Sequence, residues 1–131
     1  MTDNKIITDR EEILEAVKKD GFALKDASDT LKADREVVLE AVRKYGNAIQ
    51  YADDSLKADR EVVLEAVKTF VVFDHIDDSF RSDREVVLAA VRGVATSLYY
   101  VDDSFRSDRE VVLAAVKNDG RALQFADESL W

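Results

Sequence analysis

One nine-residue motif occurs five times in this 131-residue chain and constrains its fold more than any other feature. The motif reads DREEILEAV at Asp9, DREVVLEAV at Asp34 and Asp59, and DREVVLAAV at Asp83 and Asp108. Successive copies begin 25, 25, 24 and 25 residues apart. A fixed period of this size is typical of stacked repeat proteins, in which each unit buries its apolar face against its neighbours. We therefore predict a single helical-repeat domain over residues 1–131.

The second unit shows how each repeat is built. Asp34 suits the N-cap of a helix, because its carboxylate can accept hydrogen bonds from the first free amides. Apolar residues follow at helical spacing: Val37, Val38, Ala41 and Val42. We expect Gly46 to end this helix and a shorter helix to cover residues 47–52. The predicted fold class is all-α, an α-solenoid of five two-helix repeats of about 25 residues.

Composition narrows the function classes. The chain carries a net charge of −9, whereas nucleic-acid binding relies mainly on cationic side chains that neutralise phosphates. The absence of cysteine from the sequence excludes disulfides and thiol chemistry. No apolar run reaches membrane-spanning length, and the polar, acidic start is unlike a signal peptide. We expect a cytoplasmic protein that binds neither nucleic acid directly nor a membrane.

The unit sequence, for example DREVVLAAV followed by DGRALQFADESL, resembles a bacterial helical-repeat family catalogued as domain of unknown function 4116. The similarity extends from Asp9 to Leu130. It implies helical repeats, and it brings no established activity, catalytic residue or cofactor to this chain.

Two charged columns recur in register along the repeats. The arginines are Arg10, Arg35, Arg60, Arg84 and Arg109, and the loop acids are Asp29, Asp54, Asp78, Asp103 and Glu128. An arginine in the first turn of a helix opposes the helix dipole, so its repetition needs a compensating partner. We predict a structural ladder in which each guanidinium takes one loop carboxylate bidentately. A continuous ligand track is the functional alternative.

Aromatic residues accumulate in units three and four, where the repeat is least regular. One variable column beside the apolar positions of the short helices reads Asp26, Tyr51, His75, Tyr100 and Phe125. The predicted binding residues are Tyr51, Phe73, His75, Tyr99, Tyr100 and Phe125, because aromatic side chains are enriched at interface anchors. The alternative is that these rings fill space between units as the pitch changes.

No residue pattern indicates an enzyme. His75 is the only histidine, and a metal site or a catalytic histidine would need further ligands or a nucleophile that do not recur beside it. The sequence contains no phosphate-binding glycine loop and no hydrolase or metalloprotease motif. We therefore expect no catalytic residues, no metal and no cofactor.

The two ends of the array predict self-association. Ile6 and Ile7 align with the loop that precedes each later unit, and Leu130 and Trp131 close the last unit. Repeat arrays need polar terminal units, and uncovered ends expose apolar surface. We expect a homodimer formed through these ends by a closed two-fold contact, although Trp131 folding back over the last unit is an alternative.

These observations favour a non-catalytic scaffold that binds another protein. If the acidic charge of this chain takes part in binding, the partner's surface is basic. The alternative is a small acidic inhibitor, of phage or mobile-element type, that imitates nucleic acid and blocks a bacterial nucleic-acid-handling or defence protein. Salt separates the two, because binding by a mimic should weaken steeply with ionic strength.

Overall fold

The computed structural model describes residues 5–130 and confirms the all-α repeat architecture. Five α-helices, one in each unit, form one layer: α1 (Arg10–Lys19), α2 (Arg35–Lys44), α3 (Arg60–Val67), α4 (Arg84–Gly93) and α5 (Arg109–Asn118). Each packs against the next along the chain. Over residues 5–130 the only β-type pairing is an isolated bridge between Ile7 and Ala27.

Each unit adds two shorter helical elements to its α-helix. The first is a 3₁₀-helix: Gly21–Asp26, Gly46–Tyr51, Phe73–His75, Ala95–Tyr100 and Gly120–Phe125. The second is a single helical turn: Asp29–Lys32, Asp54–Lys57, Asp78–Ser82, Asp103–Arg106 and Glu128–Leu130. The sequence predicted only the first of these, and placed that of unit two within one residue. It missed the second because a single turn carries no helical periodicity.

Aspartate caps the start of every α-helix, as predicted. In α2, the Asp34 carboxylate accepts hydrogen bonds from the backbone N–H groups of Glu36 and Val37. Asp59 and Asp108 cap their helices in the same manner, and Asp9 and Asp83 each accept from one backbone N–H group, that of Glu12 or Val86. These local bonds satisfy amides that have no partner within the helix.

The expected role of Gly46 as a helix terminator is wrong. Helix α2 is already capped at Tyr45, which has an extended backbone, and no described glycine has a positive φ. Gly46 is needed instead for close approach, because a Cβ atom there would lie 2.5 Å from the carbonyl oxygen of Ala66 in the next unit. The glycine therefore sets how closely two units pack.

The core lies between the layer of α-helices and the 3₁₀-helices. It contains valines and alanines from every α-helix and one large apolar residue from most 3₁₀-helices, including Leu24, Ile49 and Leu98. Backbone bonds also cross between units: the N–H of Asp53 donates to the carbonyl of Lys32 at 2.9 Å, and that of Asp102 to Arg81 at 2.9 Å. The core is continuous along the array, as expected for stacked repeats.

Candidate binding surface

The variable column of the sequence marks the ends of the 3₁₀-helices. Tyr51, His75, Tyr100 and Phe125 are each the last residue of their 3₁₀-helix, and each is half-buried. Asp26 has the same position in unit one and is exposed. Four of the six predicted binding residues therefore occupy equivalent places on successive units, and each keeps part of its side chain accessible.

Tyr99 and two other rings form the most accessible aromatic cluster. The Tyr99 side chain is 54% exposed, and its ring centroid lies 5.1 Å from Tyr100 and 5.4 Å from Phe125, in edge-to-face geometry. The guanidinium carbon of Arg106 lies 5.9 Å from the Tyr99 centroid. A groove of about 250 Å³, here called the Tyr99 groove, is lined by Val71, Thr96, Tyr99, Tyr100 and Phe125.

Phe73 does not belong to this surface, and its prediction as a binding residue is wrong. Its side chain is almost completely buried in the core, and the Arg81 guanidinium lies over its ring at 5.8 Å. The one-residue deletion in unit three shortens the 3₁₀-helix to Phe73–His75. Phe73 thereby takes the place of the buried aliphatic residue of the other units.

A second aromatic cluster lies in the first three units, and the sequence analysis missed it. Phe22 contacts Tyr45 with a centroid distance of 4.4 Å and Tyr51 with 6.1 Å. Tyr45 in turn contacts Phe70 at 5.5 Å. The detectable signal was that Tyr45 and Phe70 share one repeat position, which places them on neighbouring units at the same height.

Two further grooves beside the 3₁₀-helices carry carboxylates. The groove between units one and two is lined by Asp20, Asp26, Lys25 and the rings of Phe22 and Tyr51. The groove between units two and three includes Asp54, Asp74, Asp77 and His75. In contrast, the lining of the Tyr99 groove contains no charged residue. The grooves of the first three units therefore carry charged side chains that the lining of the Tyr99 groove lacks.

His75 lies in the acidic groove between units two and three. The residues from 5 to 130 contain no group of three or more histidine and carboxylate side chains that could hold a metal ion. Lys57 also lines this groove, beside the carboxylates of Asp54, Asp74 and Asp77.

Four arginines form a ladder, but the predicted pairing with the loop acids is wrong. Arg35 donates through Nε to Asp59 Oδ2 at 2.8 Å and through Nη2 to Asp59 Oδ1 at 3.2 Å, and it also contacts Glu61. Arg10, Arg60 and Arg84 bind the N-cap aspartate and the following glutamate of the next unit in the same way. Stacking of the units places the first turn of each α-helix beside the N-cap of the next α-helix.

The ladder pairs each arginine, whose charge is unfavourable at the start of its own helix, with carboxylates of the next unit. The Arg35 guanidinium lowers the pKa of the Asp59 carboxyl, and the backbone N–H of Val62 lowers it further, although partial burial opposes both effects. Asp59 and Glu61 together raise the pKa of Arg35. The cation that opposes its own helix dipole is thus compensated by two anions of the neighbouring helix.

The loop acids pair within their own helical turn instead. Asp103 lies 3.1 Å from Arg106, Asp78 lies 3.4 Å from Arg81, and Asp54 lies 3.8 Å from Lys57. Asp29 and Glu128 have no ion pair with any described residue. These pairs are spaced i,i+3 and exposed, so they contribute little to stability.

Arg109 differs from the other ladder arginines. Within residues 5–130 it has no carboxylate partner, because no unit follows unit five there. It lines a groove of about 730 Å³ together with Arg92, Glu110, Leu113, Ala114, Lys117 and Asn118. At the chain ends, Ile6 is exposed, Ile7 and Leu130 are half-buried, and Trp131 lies outside the described residues. The homodimer through these ends stays a prediction.

The family model described as "Domain of unknown function (DUF4116)" matches the chain four times in tandem, over residues 9–57, 34–71, 59–95 and 91–131. The chain belongs to the DUF4116 family. The first three matches begin at the N-cap aspartates of units one to three, and the resemblance drawn from the DRE motif is confirmed at the level of the family.

No curated protein and no solved structure matches this DUF4116 chain. Within the described residues, no helix has both the length and the apolar character needed to cross a membrane. The family description states no activity.

Proposed function

We propose that this DUF4116 chain is a non-catalytic scaffold that binds another protein through the Tyr99 groove. The observation that supports this most is the exposure of Tyr99, which is 54% accessible although its ring contacts two other rings. Exposed aromatic side chains held in place by neighbours are typical interface anchors, because little conformational entropy is lost when a partner binds.

The lining of the groove indicates the chemistry of the contact. Three rings and Val71 give the groove a mostly apolar lining, and Thr96 and the two tyrosines add hydroxyl groups that can form hydrogen bonds. A volume of about 250 Å³ has room for one large apolar side chain. We expect the partner to insert such a side chain here, while cationic residues of the partner meet the acidic grooves of units one to three.

Replacing Tyr99 with alanine tests this proposal. Affinity capture from the source organism, analysed by mass spectrometry, identifies proteins that bind the wild-type chain, and titration calorimetry then measures each affinity. Loss of an anchor of this kind costs about 2 kcal/mol, roughly a 30-fold loss of affinity. Phe70→Ala is the matched control, because Phe70 is another partly exposed ring but belongs to the second cluster. Equal affinities of wild type and Tyr99→Ala for every partner would refute the proposal that partners bind at the Tyr99 groove.

The alternative proposal is an acidic inhibitor that imitates nucleic acid. It is supported by a row of almost fully exposed carboxylates, one in each middle unit: Asp54, Asp78 and Asp103. Together with the net charge of −9, this row could face the basic groove of a nucleic-acid-binding protein. Replacing all three with asparagine should then abolish binding, whereas Tyr99→Ala should not.

Salt dependence separates the two proposals independently of mutagenesis. Binding through the Tyr99 groove should change little between about 0.1 and 0.5 M salt, since apolar contacts are not screened. Binding by the aspartate row should weaken steeply over the same range. We place either activity in the cytoplasm, a reducing compartment that suits a chain without cysteine.

A further inference from the structure

Unit four differs from unit three at the surface position that Tyr99 occupies. Tyr99 is the second-last residue of its 3₁₀-helix, and the equivalent residue of unit three is Asp74. Both side chains are exposed, although each of these units has a neighbour on both sides. The exposure of this position therefore does not depend on where the array ends. An aromatic ring stands in unit four where unit three has a carboxylate.

In unit three, this carboxylate binds the arginine of the following helical turn. Arg81 donates through Nη2 to Asp74 Oδ1 and to the carbonyl oxygen of Phe73, each at 3.1 Å. Its Nη1 donates to the carbonyl oxygen of Tyr100 at 2.8 Å, and its Nε to Asp78 Oδ1 at 3.4 Å. The Arg81 guanidinium thus has two carboxylates and two carbonyl groups around it.

Arg106 is the equivalent arginine of unit four, and it has fewer polar partners. Among the described residues its guanidinium contacts one carboxylate, that of Asp103 at 3.1 Å, and its buried Nε has no hydrogen-bond partner. The guanidinium carbon lies 5.9 Å from the centroid of the Tyr99 ring, and 34% of the side chain is exposed. Arg106 therefore lacks the second carboxylate that Asp74 gives to Arg81.

The difference between the two arginines arises from Tyr99 and not from a missing unit. Each residue that Arg81 binds has a counterpart in units four and five; in the order Phe73, Asp74, Asp78 and Tyr100, the counterparts are Leu98, Tyr99, Asp103 and Phe125. Phe73 and Tyr100 bind Arg81 through backbone carbonyls, which every residue has. The exchange of a carboxylate for the Tyr99 ring is thus the only one that removes an acceptor.

The arginine and the apolar groove meet at one ring. Tyr99 lines the Tyr99 groove, and the Arg106 guanidinium lies 5.9 Å from the centre of the same ring. An extended peptide spans about 3.3–3.6 Å per residue. A carboxylate that reaches Arg106 therefore belongs to a residue one or two positions from the side chain that fills the groove.

We propose that the Tyr99 groove binds a peptide segment of the partner in which an acidic residue lies one or two positions from a large apolar residue. The apolar side chain fills the groove, and the side-chain carboxylate binds Arg106 as Asp74 binds Arg81. This inference rests on the proposed function of the groove and adds the chemistry of the bound segment. Arg106 is then a specificity-determining residue, because a carboxylate forms stronger hydrogen bonds with a guanidinium than an amide does.

Selection from a phage-displayed library of random peptides tests this proposal. Peptides that bind wild type but not Tyr99→Ala are those that need the groove. They should contain an aromatic residue or leucine with aspartate or glutamate within two positions. Selection on Arg106→Gln should retain the apolar residue and lose the acidic one. Arg43→Gln is the matched control, because Arg43 also has an exposed i,i+3 ion pair, with Glu40, and it should retain both preferences.

Titration of synthetic peptides, followed by nuclear magnetic resonance, measures the effect of the carboxylate. A selected peptide should bind wild type about tenfold more tightly than its copy with an amide in place of the carboxylate, as expected for a charge-assisted hydrogen bond at a partly exposed site. The Nε–H resonance of Arg106 should shift with the acidic peptide only. The two peptides should bind Arg106→Gln equally and should keep their difference on Arg43→Gln. Circular dichroism confirms that each variant is folded, and the comparison on wild type requires no variant.

Two kinds of result would overturn the proposal, and they differ in what they imply for the groove. If the selected peptides need Tyr99 but show no acidic preference, or if the amide copy binds wild type as tightly as the acidic peptide, the groove remains a binding site and the role of Arg106 is wrong. If no selected peptide needs Tyr99, the proposed function and this inference both fail. An acidic preference that is lost in Arg106→Gln and kept in Arg43→Gln supports the proposal.

Discussion

Substitution of glycine by alanine at two equivalent positions should have opposite effects on stability. Gly46 and Gly120 both start a 3₁₀-helix, in units two and five. Neither has a positive φ, so alanine is compatible with the backbone at both. The difference lies in what the new methyl group meets: the Ala66 carbonyl oxygen and Thr69 Oγ1, each at 2.5 Å, for Gly46, and nothing within 4 Å for Gly120.

The magnitudes follow from these distances. Thr69 can rotate away, but the Ala66 carbonyl belongs to α3, so units two and three must separate by nearly an ångström to reach ordinary van der Waals contact. Overpacking of this kind costs about 1–3 kcal/mol. At Gly120, alanine reduces the entropy of the unfolded chain without a clash, which stabilises by about 0.4–1 kcal/mol.

Thermal unfolding followed by circular dichroism measures both effects. For a chain of this size, 1 kcal/mol corresponds to a shift in Tm of about 4 °C. Gly46→Ala should therefore lower Tm by about 4–12 °C, and Gly120→Ala should raise it by about 2–4 °C. If both variants shift Tm in the same direction by similar amounts, close approach between units is not what the glycines provide.

The ladder and the core allow three further predictions. Arg35→Ala should lower the midpoint of urea unfolding slightly, as the loss of an exposed ion pair does, whereas Arg109→Ala should have almost no effect; equal effects would contradict the ladder. Because Arg35 lowers the pKa of Asp59, its contribution should be complete above about pH 5 and disappear as acid protonates Asp59 in the folded state. Ser97→Ala should stabilise by about 1 kcal/mol, since the buried Ser97 hydroxyl has no hydrogen-bond partner among the described residues; a loss of stability would indicate that the hydroxyl is satisfied.

Several features of the fold could be predicted from the sequence because they depend on neighbouring residues. The carboxylate of Asp34 can accept hydrogen bonds from the amides of the residues that follow it, so its capping role depends on only a few consecutive positions. The spacing of Val37, Val38 and Val42 determines one apolar face regardless of what covers it. The period of the DRE motif then determines that such faces stack.

The candidate site was only partly predictable. Tyr99 and Tyr100 are adjacent, and helical geometry requires that they point in different directions, so one exposed ring was foreseeable. The burial of Phe73 was not, because it results from how the deletion in unit three shifts the short helix relative to the core. The contact between Phe22 and Tyr45 was missed for a similar reason, since the two residues belong to different units.

By itself, the sequence determined the helical class, the five units, the capping of each helix and the repeated charges. Only the tertiary structure decided which carboxylate each arginine binds. That carboxylate is the N-cap aspartate of the next unit and not the loop acid. It also decided that Gly46 admits a neighbouring helix and that Leu113 remains uncovered. The physical reason is range: capping and periodicity act within a few residues, whereas these contacts depend on the rotation and spacing between units about 25 residues apart.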